Sequence, residues 1–471
     1  MMFFKSNTVQ GYVTSEGCMN VKALVSGMLN RRNLMTLLAT AVLGASATAV
    51  SGSDVIPGAP QKKPVVLKNG VIHTVSGAPI SDGMLIFDQG RITEIGTGLT
   101  IPADAEVIDL KGKDVWPSMI EAHSQIGLTE IASVRATIDY AETGSLNPNV
   151  SAHVAVNPDS ELIPVTRANG VLIALSAPMG GLVSGKASVM QLDGWTYEDM
   201  TLKADAAMVV NWPRMTAPSF RGFRPQEAPS DEGGNQGLKS LRDLFDQARA
   251  YQKARSAGSA DQRYDIRLEA MQPVIEGKTP LYVTANRVRE IQSAVSFSAE
   301  QKVRMILFGG ADAELCADLL KQHQIPVVID SIHRLPSRSH EAYDSSYTLP
   351  ERLRRAGVKF CISGSSRAET YNVRNLPYQA ATAVAYGLPY EDGVRAVTIY
   401  PAEILGIADR VGTLDKGKDA TLFVCDGDPL ETDTQVEMAW VQGRRVDLNS
   451  RHRQLYEKYS EKYRQLKAAG K

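Results

Sequence analysis

The C-terminal part of the chain carries the stretch that decides the fold. Residues 374–430 read RNLPYQAATAVAYGLPYEDGVRAVTIYPAEILGIADRVGTLDKGKDATLFVCDGDPL. Within this stretch, Thr398 through Leu405 predict the last helix of a larger body, and Gly406 permits that helix to end. Residues 411–429 then predict a turn, a strand and a second turn that close a small sheet. The stretch therefore predicts structure and contributes no chemistry.

Short β-rich runs at the other end of the chain supply the rest of that sheet. After a Pro-rich linker at residues 50–63, residues 64–116 contain several such runs, separated by Gly and Asp turns. Runs of the same character return at 417–429 and 436–446. We therefore expect a composite β-domain in which residues 406–448 complete the N-terminal part, with the long middle of the chain inserted between them.

The middle of the chain, residues 117–405, alternates apolar β-like runs with helical patterns. Eight strands with helical crossovers in about 290 residues are what a (β/α)8 barrel of the TIM type requires. The predicted fold class is therefore α/β, a (β/α)8 TIM-type barrel inserted in the small composite β-domain. The runs are VWPSMIEAH at 115–123, GVLIALSA at 170–177, ASVMQLDG at 187–194, AAMVVNWP at 206–213, PLYVTAN at 280–286, VRMILFGG at 303–310, PVVIDS at 326–331 and VKFCISGS at 358–365.

One part of the middle is irregular. Residues 213–265 include a stretch at 216–237 that is rich in Gly, Pro and polar residues. One interpretation is a mobile loop over the active-site face of the barrel, and the other is a plain solvated connection.

The composition of the chain excludes some classes of partner. Its 471 residues carry 51 basic and 52 acidic side chains, a formal net charge of −1, so neither a nucleic acid nor an acidic polymer is expected as a partner. A small neutral or zwitterionic molecule is a more suitable substrate or ligand for a chain with so little net charge. The four cysteines, Cys18, Cys316, Cys361 and Cys425, lie far apart and match no zinc-finger or disulfide spacing.

The first residues have the pattern of a targeting segment. Arg31 and Arg32 precede LMTLLATAVLGASATAV, which is too short to span a bilayer comfortably, and small residues at 47–49 suit a signal peptidase. We predict that residues 1–49 are a cleaved secretory signal for the Sec route, with twin-arginine export as the alternative. A bacterial protein exported in this way would be periplasmic, with no stable membrane anchor after cleavage.

The last residues predict a basic helix at 449–471. Leu455, Tyr459, Tyr463 and Leu466 recur at helical spacing, and the last 21 residues hold seven basic and two acidic side chains. We expect this helix to dock on the body with a solvated basic face, and binding to a membrane surface or a partner is the alternative.

Residues 64–448 resemble the amidohydrolase superfamily, specifically the exported branch related to imidazolonepropionase. The resemblance is carried by KNGVIHTVSG and GRITEIG near the N-terminus, by DVWPSMIEAHSQIGL, by ELIPVTRANGV with GGLVSGKASVMQLDG, and by residues 374–430. It implies hydrolysis of a C–N bond in a cyclic amide or small peptide-like compound by one or two divalent metal ions, zinc above all. In the family a cation acidifies the attacking water and polarises a carbonyl, while a carboxylate moves the proton.

The resemblance also says where metal ligands should stand, and most of them are absent. The family has a His-x-His on strand one, a bridging Lys or carboxylate on strand three or four, His on strands five and six, and Asp on strand eight. Only His123 matches, so we predict a degenerate metal centre in which His123 is a residual ligand and no cofactor is held firmly. The other positions hold Gln125, Asn211, Thr284, Gly309 with Gly310, and Ser365 with Ser366.

Other polar side chains are candidates for catalysis or substrate binding at the barrel mouth. Ser365 and Ser366 follow strand eight and His333 follows strand seven, and these three are the candidate catalytic residues, although no Gly-x-Ser-x-Gly elbow is present. For substrate binding the candidates are Gln125, Thr284, Asn286, Arg287, Arg338 and Asp344. Arg338 and Asp344 could instead pair within an ordered loop.

Three functions are compatible with this pattern. The first is an exported amidohydrolase-like protein with a degenerate metal centre. The second is a non-catalytic periplasmic binding or heteromer subunit that keeps the barrel pocket, as a homodimer or beside an active paralogue. The third is an active enzyme with an atypical mononuclear site around His123 and the loop after strand seven, where His333 and His340 lie.

Overall fold

The structure is a computed structural model, and it describes residues 53–215, 231–257, 263–365 and 370–470. The predicted leader at 1–49 and Ser366 lie outside the described residues. The strands are β1 Val65–Ile72, β2 Ile80–Asp88, β3 Arg91–Gly96, β4 Glu106–Asp109, β5 Asp114–Pro117, β6 Met119–Ser124, β7 Val171–Ser176, β8 Val183–Gln191, β9 Thr201–Asn211, β10 Leu281–Ala285, β11 Met305–Gly309, β12 Val327–Ile329, β13 Phe360–Ile362, β14 Leu422–Cys425, β15 Val436–Val441 and β16 Arg444–Val446.

Helices fill most of the connections between the later strands. The α-helices are Leu162–Arg167, Tyr197–Met200, Asp231–Ser256, Ile266–Ala270, Gln272–Ile275, Val288–Gln301, Ala317–Gln322, Leu349–Arg355, Leu376–Ala385, Tyr390–Arg395, Ile399–Leu405 and Arg451–Ala468. Much of the irregular part predicted at 213–265 is therefore helical, and residues 216–230 lie outside the described residues.

One sheet joins the two ends of the chain, as predicted. Its strand order is β16-β15-β14-β5-β1-β2-β3, with β4 beside β1. The junction is the antiparallel pair of β14 with β5, in which Val424 lies opposite Val115 and Phe423 opposite Trp116. Trp440, Phe87 and other fully buried side chains pack beneath it. The composite β-domain is thus one structural unit with its own hydrophobic core.

The run predicted as the first barrel strand is divided between the two sheets. Residues 114–117 belong to the β-domain as β5, and Met119–Ser124 belong to the barrel as β6. At the break, the backbone N–H of Ser118 donates to the carbonyl of Thr421, 3.1 Å away. The chain therefore enters the barrel directly from the β-domain sheet.

The second sheet is the predicted barrel, with strand order β13-β12-β11-β10-β9-β8-β7-β6. It nearly closes, because residues 396–397 lie at the seam between β13 and β6. There the N–H of Ile120 donates to the carbonyl of Val397 (2.8 Å), and the N–H of Ile362 donates to that of Ala396 (3.0 Å). Ile120, Ile173, Val209, Tyr282, Ile306, Val328 and Cys361 fill the space inside. The barrel interior is accordingly a packed core.

One strand departs from the predicted (β/α)8 pattern. β8 runs antiparallel to both β7 and β9. The physical reason is the length of the connections, since only residues 177–182 join β7 to β8. A parallel crossover needs about a dozen residues or more, whereas an antiparallel return needs only a few. The strands β6, β7 and β9 to β13 share one direction.

A buried charge cluster ties both ends of the chain to the barrel. Arg167 Nη1 donates to Asp193 Oδ1 at 2.8 Å, and both side chains are almost fully buried. The N–H of Gly58, from the N-terminal segment, donates to Asp193 Oδ2 at 3.1 Å. Arg444, in β16, has its Nη2 3.6 Å from the same oxygen. Burial raises the pKa of Asp193, and the charges of Arg167 and Arg444 oppose that rise.

The helix Arg451–Ala468 forms as predicted, and it contacts the helix Leu162–Arg167. None of its side chains is buried. At its start, Ser450 caps it by accepting from the N–H of Arg453 (3.3 Å), and Arg374 Nη1 donates to Nδ1 of His452. Across the described part of the chain, no helix is both long and apolar enough to span a membrane.

Candidate functional site

The carboxyl ends of the parallel strands place the predicted polar residues at one end of the barrel. His123 lies in β6 with Gln125 directly after it, Thr284 lies in β10, and Ser365 follows β13. His123, Gln125 and Ser365 are almost fully buried, and Thr284 is half-buried. In barrels of this kind the strand ends are where active sites form, so this mouth is the candidate site.

A buried carboxylate joins the two sides of the barrel seam at this end. Glu121 Oε1 accepts from the hydroxyl of Ser363 (2.5 Å) and from the N–H of His123 (3.0 Å), and Oε2 accepts from the N–H of Gly364 (2.7 Å). Gly364 permits this approach, because a Cβ there would lie 2.9 Å from the Cα of Leu376 and 3.1 Å from Oε2. Burial raises the pKa of Glu121 to about 8, although these hydrogen bonds favour the ionised form.

Sequence reasoning assigned no role to Glu121 or Ser363. Glu121 interrupts the apolar run that leads to His123, and a carboxylate in a buried strand requires partners. That signal was available in the sequence. Its partner Ser363 is 242 residues further on, and only the closing of the barrel brings the two together.

The ring of His123 is held in an aromatic stack. Its centroid lies 3.7 Å from that of Phe308, with 23° between the planes, and 5.6 Å from that of Tyr282. The hydroxyl of Tyr282 donates to the carbonyl of Ala122 at 2.9 Å, which fixes the second ring. Nε2 of His123 lies 3.3 Å from Nε2 of Gln125. An amide nitrogen can only donate, so in this arrangement the imidazole nitrogen accepts the hydrogen bond.

The donors at the mouth do not fit a divalent metal ion. Zinc sites in proteins use about three or four Cys, His or carboxylate ligands. Across the described residues, no three His, Cys, Asp or Glu side chains converge in a way that could hold an ion. His123 has Gln125 beside its Nε2 and Phe308 against its face. Its position is therefore suited to packing and hydrogen bonding.

Asn286 and Gly309 shape the mouth between β10 and β11. Gly309 has a φ of 96°, which favours glycine, and a Cβ there would lie 2.6 Å from Oδ1 of Asn286 and would displace that side chain. Oδ1 of Asn286 also accepts from the N–H of Ala311 at 3.3 Å. Asn286 is thus fixed against the turn after β11, and Thr284 is two residues before it.

The two arginines predicted to bind substrate belong to an ion-pair network. Arg338 pairs with Asp312 and with Glu341, and Arg287 Nη1 lies 4.0 Å from Asp312 and 3.6 Å from Glu341. Partial burial opposes ionisation of Glu341, but hydrogen bonds from Arg338 and from the N–H groups of Ser337 and Arg338 lower its pKa to about 2. The side chains are therefore charged and mutually compensated.

Asp344 does not belong to that network. The pairing of Arg338 with Asp344 within the loop was wrong, since Asp312 and Glu341 are the partners of Arg338. The backbone carbonyl of Asp344 instead accepts from the N–H groups of Tyr347 and Thr348, at 2.9 and 3.0 Å. Sequence proximity favoured Asp344, whereas the fold brings in Asp312 from the turn after β11.

The described candidates for nucleophilic catalysis do not form a pair. His333 is exposed, and its Nε2 lies 2.7 Å from the hydroxyl of Thr382 on the helix Leu376–Ala385. Ser365 is buried, and its carbonyl oxygen lies 3.0 Å from the hydroxyl oxygen of Ser363, whose single proton is given to Glu121. Because the side-chain partner of His333 is Thr382, a Ser365–His333 couple is not formed, and an atypical metal site joining His333 to His123 is not formed either. Ser366, the other candidate, lies outside the described residues.

The amino-acid sequence matches the model of a known protein family. The model of the amidohydrolase family matches residues 196–446, which run from before β9 to the end of β16. The match covers more than half of the chain, so the protein belongs to the amidohydrolase family. This confirms the family and the fold class that the sequence predicted.

Individual relatives agree with that assignment. A solved structure of an amidohydrolase from Thermotoga maritima MSB8 is 26% identical, with a TM-score of 0.72, and covers 81% of this chain and 99% of that one. A Xaa-Pro dipeptidase with bound methionine is 13% identical, with a TM-score of 0.52 over 81% of this chain and 99% of that one, which shows the fold alone. "Amidohydrolase tasK" of Hapsidospora irregularis is 21% identical over 432 residues. That match takes in 81% of this chain and 43% of the fungal protein, so the chain spans less than half the length of this relative.

Proposed function

We propose that this protein is an exported member of the amidohydrolase family in which the barrel binds a small amide-bearing compound, and in which the metal centre is degenerate. One observation carries the proposal: Nε2 of His123 faces the amide of Gln125 at 3.3 Å while the ring lies against Phe308. A metal-bound histidine directs the lone pair of one ring nitrogen at the ion and donates the N–H of the other to a protein group. Here the lone pair of Nε2 accepts from Gln125 and the ring proton lies on Nδ1, so the imidazole serves as a pocket wall.

The groups around that ring suit an amide ligand. Gln125 and Asn286 carry side-chain amides, and Thr284 and Ser365 carry hydroxyls, so the residues at the barrel mouth include both donors and acceptors, of which Gln125 and Ser365 are buried. An amide also has one donor and one acceptor side, and a cyclic amide presents them at a fixed angle. The compensated charges of Arg287 and Arg338 with Asp312 and Glu341 leave little net charge, which favours a neutral or zwitterionic compound.

The second candidate function is hydrolysis of a C–N bond in a cyclic amide or other non-peptide compound. The family match over residues 196–446 favours it, together with the Thermotoga amidohydrolase at 26% identity. Such activity would need either a metal site built from other residues or a route through the protein's own acids and bases. Glu121 is an acid beside His123, but its hydrogen bonds with Ser363 and Gly364 hold the seam, and its third is to the N–H of His123 within β6.

A non-catalytic role would be compatible with assembly. We propose that the mature chain, after removal of residues 1–49, works in the periplasm as a homodimer or beside an active paralogue. The leader pattern with Arg31 and Arg32 supports export. Purification from the native host with an affinity tag would show a second, similar chain in stoichiometric amount if the heteromer exists.

A binding experiment distinguishes the first two functions. Purified protein, dialysed against EDTA, is titrated calorimetrically with hydantoin, dihydrouracil and a cyclic dipeptide, and each mixture is assayed for ring opening. We expect binding that EDTA does not change and no ring opening. Gln125→Ala should weaken binding about tenfold or more, the effect of losing one buried hydrogen bond to the ligand.

The control for this titration is Gln454→Ala, which changes the same side chain on the exposed C-terminal helix. It should bind like the wild type. Ring opening that zinc restores after EDTA treatment would support the hydrolase instead. Absence of binding by all three compounds would contradict the amide-binding proposal.

A further inference from the structure

The C-terminal helix, Arg451–Ala468, presents an apolar stripe to solvent. Tyr456, Tyr459 and Tyr463 are 73%, 49% and 67% exposed, and Leu455 and Leu466 are half-buried. At about 100° per residue, these five side chains fall within an arc of about 100°. An 18-residue helix alone in water is only marginally stable, so an exposed stripe of this kind is expected to acquire a partner.

The charges of this helix are arranged in relation to the stripe. Lys458 and Lys462 place their ammonium groups 6.0 and 5.9 Å from the ring centre of Tyr459. The acidic residues Glu457 and Glu461 project from the opposite face. Basic side chains border the stripe on both sides, namely Arg451, Lys458 and Lys462 on one edge and Lys467 on the other. Arg453 and Arg464 lie further round the helix and pair with Glu457 and Glu461.

We propose that this helix docks the protein reversibly on the surface of a membrane that contains anionic phospholipids, lying parallel to that surface. Tyrosines suit the interface, because the ring is apolar and the hydroxyl is wet. The basic side chains on both edges reach up to the phosphate groups while their stems cover the apolar boundary. Glu457 and Glu461 then face water, where they do not oppose the anionic lipid.

A second copy of the chain is a weaker occupant for the same stripe. If two copies paired stripe to stripe, the basic edges of both helices would lie side by side and repel one another. An anionic surface meets both edges favourably at once. The inference is independent of what the barrel binds, because it rests on residues outside the barrel.

Vesicle flotation tests this proposal. The protein is floated with vesicles of phosphatidylglycerol and phosphatidylcholine, or of phosphatidylcholine alone, at low and high salt. We expect binding to the anionic vesicles only, weakened by salt. The triple variant Tyr456→Ser, Tyr459→Ser, Tyr463→Ser and the triple variant Lys458→Glu, Lys462→Glu, Lys467→Glu should each reduce partitioning by about tenfold or more.

The matched control changes the polar face of the same helix. Gln454→Ala with Gln465→Ala keeps both the stripe and its basic edges, so it should bind as the wild type does. A chain that ends at Ser450 should not bind, and this holds even if a substituted helix fails to form. Failure of the wild-type protein to float with anionic vesicles would overturn the proposal. So would a dimer in solution that the tyrosine variant converts to monomer without any lipid binding, which would assign the stripe to a second copy.

Discussion

Replacing Asp193 with Ala is expected to lower the free energy of unfolding by about 3–5 kcal/mol, because it leaves a buried charge without its partner. Arg167 is 4% exposed, and its Nη1 donates to Asp193 at 2.8 Å. The variant leaves the buried guanidinium of Arg167 without its carboxylate partner, and it also removes the acceptor of the Gly58 N–H. Domains of this kind have a total stability of about 5–15 kcal/mol, so the loss is a large fraction of it.

Urea denaturation, followed by circular dichroism, measures this change. The control is Glu300→Ala, which breaks the exposed ion pair with Arg242 and should cost no more than about 1 kcal/mol. If Asp193→Ala does not fold, Arg167→Met with Asp193→Leu removes both charges and should recover much of the stability. Equal losses in Asp193→Ala and Glu300→Ala would show that the cluster does not tie the chain ends to the barrel.

The buried carboxyl of Glu121 is expected to make the protein less stable as the pH rises from about 4.5 to about 8. The pKa of this group is 4.5 in the reference state and about 8 in the folded protein. Below pH 4.5 the group is protonated in both states and contributes no difference. Between the two values the group is ionised in the unfolded chain and protonated in the folded protein. The free energy of unfolding therefore falls by up to about 1.4 kcal/mol per pH unit. Above pH 8 the group is ionised in both states, so it lowers the free energy of unfolding no further.

The variant Glu121→Gln tests this directly, since an amide does not titrate. At low pH Glu121 is protonated, so the proton on one of its oxygens already faces one of the three donors. The amide NH2 of Gln brings a second proton to that position, and the variant should therefore be less stable than the wild type there. As the pH rises to 8, the difference should shrink and then reverse. Stability measured by urea at pH 5, 6, 7 and 8 gives this crossing. A constant difference between wild type and variant at all four values would mean that Glu121 is ionised throughout.

Much of the fold could be predicted from the sequence, because apolar runs of strand length mark buried strands. All eight barrel runs form strands, and the two chain ends form one sheet. The direction of β8 was not predicted, since a hydrophobic run carries no direction. The length of the connection at 177–182 did indicate the direction of β8, because a segment this short does not allow a parallel crossover. The helix Arg451–Ala468 has the predicted period, but a period does not say which surface covers its stripe.

The candidate site was less predictable, and the reason is distance along the chain. The positions around His123 could be assigned because each lies at the end of a strand or just after it. The partners of Glu121 and of Arg338 could not, because Ser363 and Asp312 reach them only through the closed barrel. Sequence neighbours such as Asp344 were therefore preferred over residues that the fold brings close.

The metal content of the purified mature protein tests the central claim most directly. Protein prepared with zinc, iron and manganese in the medium is desalted and analysed by plasma mass spectrometry, beside His123→Ala. We predict much less than one metal ion per chain in both proteins, since among the described residues no three His, Cys, Asp or Glu side chains converge, whereas a tight site needs three or four donors. A content near one ion per chain in the wild type, lost in His123→Ala together with a hydrolytic activity, would contradict the account.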